Sequence, residues 1–374
     1  MQVGIIGTPG RISGLAKKNF LTAFSEAGGN SGNLLFQYAA TSLVKGNKEY
    51  FTWESDPHQI NRRSNVLILP LANQLGTHTD YAKRAEFINK IDIPIIALGL
   101  GAQSHIMTDE SAFNLSKKIT SGTRHWVEEI SAKSEKILVR GNYTQKVCEY
   151  MGIPNAESFG CPSNLISSNI DLGTTIRRKL NNLADSRSFI LNGGFYNQGK
   201  NNYEDIVKLE STILRSQKED NISIVVQAPK DIMECSYKGK IDNSRVFDVF
   251  NSVERSYRLD SFYDINSWVH HTRNFDFSIG TRVHGSILSL QFEQPSLLIT
   301  HDSRTDELAN TMALPHLRLN EALNLNGTDE MLNALYFDGD KFNETRAQMA
   351  RQVQNIIESL NLISSTNIDL LSKS

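Results

Sequence analysis

An α/β fold of two Rossmann-like domains facing a cleft is predicted by three features of the sequence. Short apolar, β-branched runs recur along the chain, and segments of helical periodicity lie between them. At 374 residues the chain is too long for one ordinary core and suits two. Several runs are continuous rather than alternating, as expected of parallel strands covered on both faces. In such open sheets ligands bind beyond the carboxyl ends of the strands.

Taken in order, Val3–Ile6 reads as a first strand entering a glycine turn. The stretch GGNSGNLLFQYAA (residues 28–40) follows, a glycine- and asparagine-rich turn leading into a helix. Val66–Leu69, Ile95–Leu98 and Ile137–Val139 read as further strands, with helices over Tyr81–Ile91 and Thr144–Met151. A polar stretch without strand character, about Ser167–Ser186, is the expected junction. It gives an amino-terminal domain over 1–170, the expected acceptor side, and a carboxyl-terminal domain over 187–340, the expected donor side. The second half repeats the alternation with Phe189–Leu191, Ile222–Val226, Phe275–Ile279, a helix over Ser286–Phe292, and Leu297–Thr300. Residues 341–374 form a tail whose Asn343–Leu362 segment is amphipathic and helical, expected to pack back on the amino-terminal domain.

A formal charge of −2 argues against non-specific nucleic-acid binding, which needs a basic surplus. Cys148, Cys161 and Cys235 are odd in number and far apart, without the spacing of a metal site or a disulfide framework. MQVGIIGTPG lacks the charged and long apolar regions of a secretory leader, and no apolar run approaches the ~20 residues that span a bilayer. These features point to a cytoplasmic protein, with any membrane work done from the inner surface. Gly4, Gly7 and Gly10 do not make the dinucleotide fingerprint, and no Walker lysine motif occurs. No cofactor and no metal are expected; HHTRNFDF (270–277) has adjacent histidines without a convincing third ligand.

The most informative segment is SIGTRVHGSILSLQFEQPSLLITHDSRTDELANTMALP, residues 278–315. A strand ends in Thr281-Arg282-Val283-His284-Gly285-Ser286 and a helix begins. Arg282 and His284, two apart, project to one side of an extended strand end. Gly285 permits close approach, and Ser286 is placed to cap a helix whose free N–H groups favour an anion. Arginine brings a bidentate fork for carboxylate or phosphate, and histidine a proton donor or acceptor near neutral pH. The plain alternative is a buried Arg–His pair tying strand to helix. The next strand ends in a second polar cluster, His301-Asp302-Ser303-Arg304, where Asp302 and Arg304 also suit a helix start.

This block resembles the polysaccharide pyruvyltransferase family, which has a strand, an R-x-H-(A/G) turn, a helix, a proline before the next apolar strand and a polar turn after it. PIIALGLGAQ (94–103) is similar to the family's strand and glycine loop. ILVRGNYTQKVCEYMGI (137–153) resembles its "VRD" strand and helix, and FGCPSNLI (159–166) its "D-P" stretch. The likeness covers roughly residues 28–315. Gly141, Cys161 and Asn33 stand where many members carry aspartate, which puts in doubt any mechanism needing a carboxylate there.

The resemblance implies a GT-B-like architecture and transfer of an enolpyruvyl unit from phosphoenolpyruvate to two hydroxyls of a sugar in a surface polysaccharide or its precursor, releasing phosphate. Arg282, Gly285, Ser286, Arg140 and Arg304 are then the donor-binding candidates. His284, with Asp302 and His105, supplies acid–base candidates. Asn30, Asn33, Gln103 and His301 are candidates for the acceptor or cleft wall. The acceptor sugar, whether free, lipid-linked or polymeric, stays open. Two other readings stand beside this one. GGNSGNLLFQYAA also resembles the opening of a fucosyltransferase family, although the HTRNFD segment lacks the second arginine and glycine of that family's GDP-fucose motif. A non-catalytic glycan-binding relative is the other.

Overall fold

The computed structural model describes residues 1–104, 106–184, 187–193, 202–216, 221–238 and 259–374. Two parallel sheets organise it. The first holds β1 (Gln2–Ile6), β2 (Asn47–Phe51), β3 (Val66–Pro70), β4 (Asn73–Leu75), β5 (Ile95–Ala102), β6 (Ile137–Val139) and β7 (Ala156–Ser158), in the order β2-β1-β3-β5-β6-β7 with β4 beside β5. The second holds β8 (Phe189–Gly193), β9 (Ile222–Val226), β10 (Leu259–Asp260), β11 (Phe277–Gly280), β12 (Ser296–Thr300) and β13 (His316–Arg318), in the order β10-β9-β8-β11-β12-β13. These are two Rossmann-like units.

Every residue of β5 is buried, as are all five of β8 and of β12. That burial explains their continuous apolar runs, since both faces are covered by helices. The less legible strands are the short or polar ones: β2 reads NKEYF at one edge of its sheet, and β7 and β13 have three residues each at the opposite edges.

Between the sheets lie the Asn33–Thr41 helix, the 3-10 turn Pro162–Leu165 and the Val283–Gln291 helix, which pack on one another. Leu34 and Leu35 on the first and Ile287, Leu288 and Leu290 on the last are each at most 1 % exposed. Each such side chain contributes about 1.5–3 kcal/mol by leaving water. This packing of the two halves is what draws the glycine loop before Asn33 up to His284.

The polar stretch after residue 167 contains a helix, Leu172–Asn181, with Leu172 and Ile176 four apart on its buried face. It lies against the long Gly339–Ser359 helix, which starts ahead of the predicted Asn343 because Asp338 caps it through Asp340 and Lys341 N–H. Arg346 of that helix, fully buried, donates to the carbonyls of Asn164, Ser167 and Asn169, and Gln352 donates to Glu157 and Ser158 beside β7.

Candidate functional site

In the second sheet the strand order reverses between β8 and β11, the place where open α/β sheets leave a crevice. The Arg282–His284 turn sits there. The expectation of an extended turn capped by Ser286 is corrected: Arg282 itself is the N-cap, with φ −97° and ψ 104°, and the helix runs Val283–Gln291. His284, Gly285 and Ser286 therefore belong to the first helical turn. Arg282 and His284 meet the site from a cap and a helix rather than along one strand face. Arg282 Nε donates to the Gly193 carbonyl (3.3 Å) and Nη2 to the Ala228 carbonyl (2.9 Å), spanning the ends of β8 and β9.

His284 is buried, with Nε2 at 4.0 Å from Cys161 Sγ and its ring 5.5 Å from that of Phe36. Burial, with Arg140 adding like charge, lowers its pKa from the usual imidazole range to about 3. The ligand-free side chain is thus a neutral imidazole. The glycine loop crosses beside it. A Cβ at Gly32 would push the Gln227 amide aside and stand 3.1 Å from His284 Nδ1, so a side chain here shifts both. Asn30 accepts the Gly32 N–H (2.8 Å), whereas Asn33 donates to the carbonyls of Ala27 and Gly28 and fastens the turn.

Arg140 follows β6 in the first half and is buried, donating to the Gly99 carbonyl (3.1 Å) and to Asn73 Oδ1. Burial lowers its pKa while Cys161 and Glu307 oppose that, and an arginine stays charged throughout. Gln103 donates to the Asn73 carbonyl (3.3 Å) next to it. From the other half, Glu307 reaches Thr144, Oε1 accepting its N–H (2.8 Å) and Oε2 its hydroxyl (2.9 Å). Burial raises the Glu307 pKa against these bonds and against Arg140. A Cβ on Gly141 would run into the Glu307 side chain, so a glycine at 141 makes room for a carboxylate delivered from residue 307.

The second polar cluster is built around a cap. Asp302 accepts the Thr305 N–H (2.9 Å) and pairs with Arg304 (Nε to Oδ2, 2.8 Å). Burial works against its ionisation, but His301, Arg304 and the Thr305 N–H outweigh it and hold the carboxyl at about 2. His301 Nε2 lies 3.7 Å from Asp302 Oδ2. Burial lowers its pKa to about 4, Asp302 opposing and Arg282 and Arg304 assisting. Ser303 donates to the Ser104 carbonyl, closing this cluster onto the first half. His105 lies outside the described residues.

Around the switch point several buried polar atoms find no hydrogen-bond partner: Ser31 Oγ, both amide atoms of Asn192, Gln227 Nε2, Thr281 Oγ1 and Ser286 Oγ. Such an atom costs about 1–3 kcal/mol when nothing answers it. They come from four separate segments, yet Asn192 abuts Gly285 in the first turn of the Val283–Gln291 helix and Gln227 abuts Gly32, which itself faces His284. Asn192, Gln227 and Glu307 escaped the sequence reading, and Cys161 entered it only in the cysteine count and as a departure from the family's aspartate. The one available signal was a polar residue closing an apolar strand, as in FILNG and ISIVVQ.

An Arg–His helix start at the switch point of an α/β sheet, with partnerless buried polar atoms around it, has the residue types that suit a small polar ligand. The chain belongs to the polysaccharide pyruvyl transferase family, whose model (Polysaccharide pyruvyl transferase) matches residues 30–303. The search of curated proteins gave no match. Among solved structures, the Staphylococcus aureus MnaA–UDP complex is similar at 12% identity and TM-score 0.45, covering 97% of each chain. The Methanocaldococcus jannaschii UDP-GlcNAc 2-epimerase with UDP-GlcNAc and UDP is similar at 12% identity and TM-score 0.44, over 92% of this chain and 98% of that one. The wall teichoic acid polymerase TagF, H444N variant, is similar at 10% identity and TM-score 0.39, over 96% and 88%.

Proposed function

We propose that the protein transfers the enolpyruvyl unit of phosphoenolpyruvate to two hydroxyls of a sugar, forming a pyruvate ketal on a surface polysaccharide or its precursor and releasing phosphate. The observation that carries this reading is the meeting of Arg282, a helix N-terminus and a neutral His284 at one switch point. The donor bears a carboxylate and a phosphate, which the positive charge of Arg282, held in place by the Gly193 and Ala228 carbonyls, and the helix N-terminus attract. Arg140 supplies a second fixed positive charge behind His284.

In the reaction, carbon 3 of the enol takes a proton and carbon 2 gains positive character. A sugar hydroxyl adds to carbon 2 and gives up its proton, and a second hydroxyl then displaces phosphate, its own proton passing to solvent in exchange for the one that carbon 3 took from solvent. A neutral imidazole suits the first of these hydroxyls as base, and the imidazolium so formed protonates the departing phosphate. The anionic donor beside it stabilises the imidazolium as it forms, against the effect of burial.

The test is joint measurement of phosphate release from phosphoenolpyruvate and of the acceptor's mass. The acceptor gains the mass of pyruvate less water for each phosphate released. Release of GDP from GDP-fucose without that gain overturns the reading.

A further inference from the structure

At the carboxyl ends of β12 and β13, where Thr300 and Arg318 are register partners, lies a pocket of about 350 Å³. It is separate from the Arg282 turn but shares a wall with it, since His301 and Asp302 line it and His301 feels the charge of Arg282. Met107 lines it from the first half, so both halves contribute. We infer that this pocket is the acceptor-sugar subsite and that it selects an uncharged pyranose over a uronic or otherwise acidic one. The inference rests on the pyruvyl-transfer reading.

Four features support it. The pocket has the lower range of volume for small-ligand sites, enough for one sugar ring. Its carboxylates, Asp205 and Asp306 beyond the Arg304-paired Asp302, accept hydrogen bonds from hydroxyls, and among the described lining residues Arg318 is the one arginine or lysine. Asp306 Oδ1 is enclosed and has no hydrogen-bond partner, so one acceptor is left unanswered at its edge. Leu319 and Met107 add apolar surface for the C–H face of a ring, beside the amide of Asn320. An acidic sugar meets like charge at Asp205 and Asp306. The acceptor then approaches over the second sheet, beside the donor, rather than from the first domain alone.

The experiment uses the full chain and the double variant Asp205→Asn/Asp306→Asn, which keeps side-chain shape. Methyl galactoside, methyl N-acetylglucosaminide and methyl glucuronide are titrated by saturation-transfer NMR without phosphoenolpyruvate. A neutral glycoside binds the wild type and the glucuronide binds at least about tenfold more weakly; the double variant loses about tenfold for the neutral sugar and narrows the gap. In turnover, the variant's KM for a neutral acceptor rises while its KM for phosphoenolpyruvate stays within about twofold. Unchanged affinities in the variant, a wild type that prefers the glucuronide, or no glycoside binding overturns the subsite. Glycosides that bind as stated while phosphoenolpyruvate is never consumed instead overturn the transfer reading and leave the subsite standing.

Discussion

Glu307 and Thr144 join the two halves of the molecule through both oxygens of one buried carboxylate, which take the threonine's backbone N–H at 2.8 Å and its hydroxyl at 2.9 Å. The same hydroxyl accepts the Ala102 N–H (3.1 Å) at the end of β5, so the bond runs from one strand end across the cleft to a helix of the other half. Arg140 adds its charge to this contact.

Glu307→Ala leaves the Thr144 N–H buried without an acceptor and costs about 1–3 kcal/mol in chemical denaturation at pH 7. Glu307→Gln keeps an acceptor and removes a buried charge, so it costs less. The folded pKa of Glu307 is raised, so the folded state binds its proton more tightly than the unfolded chain does. Its contribution therefore falls as pH rises from the ordinary glutamate value of 4.5 through the folded pKa, and Glu307→Gln flattens that part of the stability profile. Equal stabilities for alanine, glutamine and wild type contradict the assignment.

His284 gives the opposite sign. Its folded pKa is about 3 against 6.5, so the unfolded chain binds the proton first and stability is lost as pH falls from 6.5 towards 3. Each fully unmatched proton gives a slope of about 1.4 kcal/mol per pH unit. His284→Gln lowers that slope in pH-dependent urea denaturation, leaving the part due to His301. At pH 7 the same variant loses roughly 10²–10⁴ in kcat, the usual worth of a proton-transfer group.

Asn192 is 1% exposed with neither amide atom hydrogen-bonded, and a Cβ on Gly285 would overlap it. Asn192→Leu, of similar shape, removes two unanswered polar atoms and is expected to raise the melting temperature while abolishing turnover. A lower melting temperature with intact activity would place the amide in the framework rather than the site.

Gly32→Ala is expected to displace Gln227 and His284, because the added methyl overlaps the first and crowds the second. The expected result is a fall in kcat with little change in the far-ultraviolet circular dichroism. Activity equal to wild type shows that the loop does not position His284.

Much of this arrangement was legible in the residues. The buried strands β5, β8, β11 and β12 announce themselves because both their faces need apolar side chains, and TRVHGS marks a polar strand end followed by a helix. Edge strands such as NKEYF were not legible, since one flank lacks a partner and its composition is free to be polar. The cap at Arg282 was hidden because arginine is not an ordinary capping residue. Glu307 and Gln227 were hidden for another reason: contacts between residues 163 positions apart, as for Glu307 and Thr144, leave no periodic trace in one sequence. Asn33 looked like a cleft residue from its glycine-rich setting, and its amide is spent on the turn itself.

The central claim is that Arg282 at the switch point binds an anionic enolpyruvyl donor, and one comparison tests it most directly. Wild type, Arg282→Ala and Arg282→Lys are incubated with phosphoenolpyruvate and the repeat unit of the native surface polysaccharide, and the acceptor is weighed by mass spectrometry. The wild type adds pyruvate less water. Arg282→Ala does so only at raised phosphoenolpyruvate, and lysine restores little because it cannot reproduce the guanidinium's bonds to the Gly193 and Ala228 carbonyls that fix the charge in place. An acceptor of unchanged mass with wild-type protein, or full turnover by Arg282→Ala at low donor concentration, contradicts the account.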